Sequence, residues 1–268
     1  MADDDEGLDF GLDDDIEDIL TELDAYDDKI EESAARHSEE RGEGQPASGR
    51  PPAQLPGGSR KNSALQAAMK QVRDGASRLD LSHWSIRLGN DGVGALAESL
   101  QRVAKGRLSE IRLNGNDIGP KGGAPVAAAL KDNSSLTRLH LTANQLGDSG
   151  TTAIAEALRT NACLKHLDLE GNNIGPSGAT AIAEALMVNQ GLESLHLSDN
   201  AILDAGAAAL GNALVANSKL ETLWLDGNKV GVSGGASLSK ALQHNKTLKT
   251  LHLGTPRVGA TVLAYVDK

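Results

Sequence analysis

One cysteine, two tryptophans, two tyrosines and one phenylalanine are all that 268 residues hold of the thiol and aromatic classes. The single Cys163 excludes an internal disulfide framework and points to a reducing compartment. It stands just before Leu164 in a helix-to-strand turn and reads as a spacer. No apolar run approaches the roughly 20 residues that span a bilayer. The first ten residues, MADDDEGLDF, are acidic, whereas a secretory leader is basic and then apolar. No basic stripe with interleaved aromatics occurs, which disfavours nucleic acid as a partner. A soluble cytoplasmic protein is expected, with no membrane partner and no cofactor.

The charge is unevenly spread. Residues 1–40 hold 18 Asp/Glu and 2 Lys/Arg, leaving 19 and 24 in the other 228 residues. The acid is therefore a local feature of the N-terminus. Within it, Leu12, Ile16, Ile19, Leu23, Tyr26 and Ile30 alternate spacings of four and three, one apolar stripe on an otherwise acidic helix over about 16–31. So short a helix is marginal alone in water. It either orders in a partner's groove, making Ile16, Ile19, Leu23, Tyr26 and Ile30 a docking element, or it is a solvated tail with chance periodicity; docking on the rest of the chain is a third possibility. Residues 41–62 carry four of the eight prolines and many glycines, as an extended linker does. Ser63 then fits a helix N-cap before Ala64–Val72, and Arg60-Lys-Asn-Ser63 also resembles a basophilic kinase site. The expected cap helix, 63–75, covers the open end of a domain running from 63 to 268.

What the chain has in abundance is a repeat. Leu108, Leu136, Leu164, Leu192, Leu220 and Leu248 are 28 residues apart. In each copy, leucines at period two (Leu167, Leu169) suit a strand with one buried face, and Ala179, Ile182, Ala183 and Leu186 suit one face of a helix. Asn116, Asn144, Asn172, Asn200 and Asn228 fill the turn between, where each side chain is expected to bond backbone groups. A second series, Asn133, Asn161, Asn189, Asn217 and Asn245, ends the helices, where left-handed residues are expected. The pattern L-x-x-L-x-L-x-x-N with this period resembles the ribonuclease-inhibitor-like subclass of leucine-rich repeats over about 76–268. About seven repeats are expected, the first lengthened to 32 residues with Trp84 in the Asn position, the last ending irregularly with Pro256 there.

That resemblance implies an α/β solenoid, curved, with parallel strands on the concave face and helices on the convex one. The middle residue of each L-x-L then faces the concavity: Asp80, Arg112, His140, Asp168, His196, Trp224 and His252. Glu170 and Asp226 belong to the column two residues on. Rows about 4.8 Å apart let adjacent repeats contact one ligand together. Arg112, His140, Asp168, Glu170, His196, Trp224, Asp226 and His252 are accordingly the candidate partner-binding residues, with Trp224 the best single anchor. His140, Asp168 and His196 suit a hydrogen-bonded ladder better than a metal site, so no metal is expected. Gly115–Gly123 lacks the G-x-x-x-x-G-K-[ST] spacing of a phosphate loop. No catalytic constellation emerges. The expectation is a non-enzymatic protein-binding scaffold with an acidic helical tail as a second docking element. Two resemblances offer alternatives: Ran GTPase-activating proteins share the repeat type and an acidic segment, and tropomodulin-like actin caps share the layout of an N-terminal part followed by a compact repeat domain. The second implies cytoskeletal or ciliary association.

Overall fold

The computed structural model describes residues 57–82, 87–103 and 107–254. The expected tail helix, most of the linker, Trp84 and the irregular end lie outside these residues. The repeats lie in the unit Ala68–Lys268.

The order begins with α1 (Gly57–Arg73), β1 (Arg78–Asp80), α2 (Gly89–Val103) and β2 (Glu110–Arg112). A 3-10 turn (Pro120–Gly122) leads into α3 (Gly123–Lys131), followed by β3 (Arg138–His140), α4 (Gly147–Leu158) and β4 (His166–Asp168). Then come α5 (Pro176–Leu186), β5 (Ser194–His196), α6 (Leu203–Ala216), β6 (Thr222–Trp224), α7 (Val232–His244) and β7 (Thr250–His252). Seven strands lie parallel in chain order. Their register follows the repeat, so Leu79, Ile111, Leu139, Leu167, Leu195, Leu223 and Leu251 form one row across the sheet. No member of that row is more than 6% exposed. Stacking is what buries it, since a three-residue strand has no core of its own. The architecture is the leucine-rich-repeat solenoid that the leucine spacing implies. Alanine and glycine on the helices permit close approach: a Cβ on Gly123 would strike the backbone of Gly150 on the next helix.

Both asparagine series are buried, except the half-buried Asn133, and apart from Asn133 both reach between repeats. Asn200 Oδ1 accepts from the N–H groups of Asn172 and Ile174, each at 2.9 Å, while its Nδ2 donates to Leu169, Leu197 and Ser198 carbonyls. Asn144 does the same for Asn116 and Ile118. The turn asparagines thus replace missing backbone partners, as their position requires. The helix-ending series departs from expectation. Asn217 has φ −75° and Asn245 φ −70°, so these two are extended; nor does any of the series adopt positive φ. Each works through its side chain instead. Asn217 Nδ2 donates to Leu186 O at the end of the preceding helix, and its Oδ1 accepts from Lys219 and Leu220 N–H.

A second departure is at the start of α1. The helix begins at Gly57, six residues before the expected start, so Ser63 is interior rather than an N-cap. Pro56 stands just before the first helical residue, where a missing N–H costs nothing, and no proline interrupts Gly57–Arg73. Ala68, Met69 and Val72 of α1 are buried, as a terminal covering helix requires.

The helices also alternate in a two-repeat period. Gly89, Gly147 and Leu203 enter their helices at φ +64°, +56° and +58°. In the intervening repeats, Gly119, Gly175 and Gly231 have φ −90°, −93° and −94°. The residue after each left-handed position caps the next repeat's helix. Asn90 Oδ1 accepts from Gly119 N–H at 2.8 Å, Asp148 Oδ1 from Gly175 and Gly178 at 2.7 and 2.9 Å, and Asp204 Oδ1 from Gly231 and Gly234 at 2.6 and 3.1 Å. Helices α5 and α7 have no cap within their own repeat, so their orphan N–H groups are satisfied from the neighbour.

Candidate functional site

The face of the sheet away from the leucine row carries the residues on either side of it. Register aligns Asp80, Arg112, His140, Asp168, His196, Trp224 and His252 as one row, each directly across from the next. Arg78, Glu110, Arg138, His166, Ser194, Thr222 and Thr250 form the parallel row two residues before. All eight sequence-derived candidates therefore fall on one surface, with Glu170 and Asp226 just beyond the strand ends.

On the first three strands most of the charges are paired. Glu110 is the pivot: its Oε1 accepts from Arg112 Nε at 2.6 Å and lies 3.7 Å from Arg78 Nε and 3.5 Å from His140 Nε2. Burial pushes the Glu110 carboxyl up, but the Arg112 hydrogen bond and the charges of Arg112, Arg78 and His140 outweigh it, leaving it below the usual range. The sequence offered no reason to single out Glu110, because its partners come from three different strands.

Asp168 occupies the middle of the face. Its Oδ2 lies 3.7 Å from His140 Nδ1, beyond hydrogen-bonding distance, and its Oδ1 accepts from the Glu170 N–H at 3.1 Å. Burial raises its pKa, and the nearby His140 ring, the Glu170 N–H, the Thr142 hydroxyl and the His196 charge together outweigh that, so Asp168 also titrates low. The expected His140–Asp168–His196 hydrogen-bonded ladder is thus not formed. His196 instead lies against the indole on the neighbouring strand. His196 and Trp224 stack with ring centroids 5.1 Å apart, and Trp224 and His252 at 3.8 Å with 12° between planes. The Trp224 Nε1 in the middle of this stack is buried and has no hydrogen-bond partner.

Beyond the stack the surface is acidic. The Glu170 carboxyl is pushed up by burial first and then by the charges of Asp168, Asp199 and Asp226. Asp199 was missed in the sequence: it follows the strand in a turn at φ +54°, and only the parallel register brings it beside Glu170. Among the described residues, no group of three His, Cys, Asp or Glu side chains could hold a metal ion. No helix among them is long and apolar enough to cross a membrane.

A family profile described as the TMOD/LMOD leucine-rich domain matches residues 94–201, and a second, described as a leucine-rich repeat, matches 216–239. Among solved structures, one titled "Leiomodin-1 Actin-Binding Site 2 (ABS2)" is 23% identical with a TM-score of 0.49, covering 54% of this chain and 86% of that one. The tropomodulin C-terminal domain of Caenorhabditis elegans is 12% identical with a TM-score of 0.42, covering 67% of this chain and 92% of that one. None of the curated proteins matches this chain.

Proposed function

We propose that this leucine-rich-repeat protein is a non-enzymatic binding module that takes a protein partner on the open face of its sheet. The observation that carries the reading is the face itself: seven rows in register present paired charges, a stacked aromatic ladder and an acidic patch on one surface. Such a surface offers many weak contacts spread over repeats, which suits an extended macromolecular partner better than a small molecule. Arg112, His140, Asp168, Glu170, His196, Trp224, Asp226 and His252 are the residues assigned to it. The acidic segment with Ile16, Ile19, Leu23, Tyr26 and Ile30 supplies a second attachment point. Two linked sites raise avidity through effective concentration, as a scaffold needs.

The profile match over residues 94–201 favours the tropomodulin-like reading over the GTPase-activating one. Actin is therefore the first partner to test, with a cytoskeletal location following from it. The experiment is co-sedimentation of the full chain with filamentous actin, with microtubules as the comparison. The same assay is run on a chain lacking residues 1–40 and on Arg112→Ala/Asp168→Ala/Trp224→Ala. Binding to actin that survives the deletion and disappears in the triple variant supports the face. Binding that the deletion alone removes assigns recognition to the acidic segment and overturns the face assignment. No binding to actin by any form removes the tropomodulin-like reading.

A further inference from the structure

The two halves of the sheet face differ in charge. Arg78, Arg112 and Arg138 stand on β1–β3, accompanied by Asp80 and Glu110, and most of these charges are paired with one another. The β4–β6 half carries Asp168, Glu170, Asp199 and Asp226, and neither Lys nor Arg occupies its rows. Lys165 and Lys249 flank it but are tied to Glu193 at 3.1 Å and Glu221 at 2.7 Å. Among the described residues, no Lys or Arg pairs with Glu170, Asp199 or Asp226. Burial first, and then the charges of Asp168, Asp199 and Asp226, push the Glu170 carboxyl up.

A single cation does not answer this charge. The carboxylates are spread over three rows about 4.8 Å apart and nowhere converge as a metal set among the described residues. What matches them is a polymer carrying several cations at intervals, and the sign excludes nucleic acid. The His196–Trp224–His252 stack beside them is also specific in what it offers. Both faces of the indole are covered by imidazoles from the neighbouring strands, so a ligand meets ring rims rather than a π face. Rims suit the aliphatic stems of lysine and arginine, whose charged ends then reach the carboxylates.

We propose that the β4–β6 half of the face receives a lysine- or arginine-bearing segment of a protein partner. Glu170, Asp199 and Asp226 hold its cations and the stack around Trp224 supports its stems. The proposal rests on the reading of the face as a protein-binding surface and names the partner chemistry.

The test uses the full chain with Trp84→Phe, which leaves Trp224 as the only tryptophan. Its fluorescence is titrated with an eight-residue peptide alternating arginine and glycine, and with matched peptides carrying glutamine or glutamate in place of arginine. Peptide held by the acidic N-terminus is told apart from this site by the carboxylate variant, which leaves the N-terminal charge intact. The expected result is a saturable change with the arginine peptide alone. In Glu170→Gln/Asp199→Asn/Asp226→Asn the affinity falls at least tenfold, with an unchanged circular-dichroism spectrum and an unchanged N-terminal charge. Asparagine tolerates the left-handed backbone at position 199, so this variant folds without added strain. An affinity unchanged in the triple variant overturns the proposal. A response to the glutamine or glutamate peptide at equal affinity also overturns it, while leaving the face as a protein-binding surface. No Trp224 response to any peptide overturns it as well, and the actin assay then decides the broader reading independently.

Discussion

Leu203 holds a left-handed backbone at φ +58° that the equivalent Gly147 adopts at +56°. A non-glycine L-residue pays about 1–2 kcal/mol for that conformation. The conformation is imposed, because the next residue, Asp204, must deliver its carboxylate to the Gly231 and Gly234 N–H groups of the following helix. Replacing Leu203 tests whether this strain is real. Leu203→Gly relieves it, but also removes a side chain that is 42% exposed and loosens the unfolded chain. Leu203→Ala removes the same side chain beyond Cβ and keeps the strain. The comparison between the two isolates the backbone contribution. Relief of about 1–2 kcal/mol, less about 0.4–1 kcal/mol for glycine's freedom in the unfolded state, leaves the glycine variant more stable by about 0.5–1 kcal/mol. With a urea slope of about 2 kcal/mol/M, its unfolding midpoint lies about 0.3–0.5 M above that of the alanine variant. An alanine variant as stable as the glycine variant, or more so, would refute the claim that the two-repeat alternation is imposed on this residue.

Other perturbations follow the same architecture. Asp148→Ala removes the cap of α5 and costs about 1–2 kcal/mol, with faster amide exchange at Gly175 and Gly178 and little change at Gly231. Asn200→Ala leaves the Asn172 and Ile174 N–H groups buried and unpaired and costs about 2–5 kcal/mol; urea unfolding checks it against Asn212→Ala on an exposed helix position, which is expected to be neutral. Gly123→Ala forces a Cβ into the Gly150 backbone and lowers stability by about 1–3 kcal/mol. The acid side of the pH–stability curve separates Asp168 from Glu170. Asp168 titrates low in the folded state, so its contribution is present above its unfolded pKa and is lost as pH falls through the folded one; Asp168→Asn flattens that limb. Glu170 titrates high, so it works in the opposite sense, its contribution falling as pH rises from the unfolded pKa through the folded one. Glu170→Gln therefore raises stability at neutral pH relative to wild type.

Much of this fold is written in the leucine spacing. A 28-residue period with two leucines alternating around one outward residue fixes which side chains share a row, so Arg112 through His252 could be placed on one face before any coordinates. The turn asparagines were equally legible, because a buried turn has few other sources of backbone partners. The helix-ending asparagines were misread because asparagine does two things at a helix end. It tolerates left-handed backbone, and its amide can also bridge two carbonyls while accepting from the next turn; Asn217 does the second. Contacts between rows were beyond sequence reasoning. Whether His196 bonds to Asp168 or stacks on Trp224 depends on rotamers, and Glu110 draws its three partners, Arg78, Arg112 and His140, from different strands. The alternation of caps leaves only a broken trace in the sequence, Gly89-Asn90, Gly147-Asp148 and Leu203-Asp204 against Gly119-Pro120, Gly175-Pro176 and Gly231-Val232, and the positive φ at Gly89, Gly147 and Leu203 shows why the two sets differ.

The central claim is that the open face of the sheet meets the partner. It is tested most directly by photo-crosslinking from single positions of the full chain. A photoreactive residue is placed at position 112, 140 or 226 on the sheet face, or at position 184 or 212 on exposed helix surface, and the chain is irradiated in native extract and with purified actin. The account predicts one common adduct from the three sheet-face positions and none from positions 184 and 212. Adducts from the helix positions with a silent sheet face would contradict it.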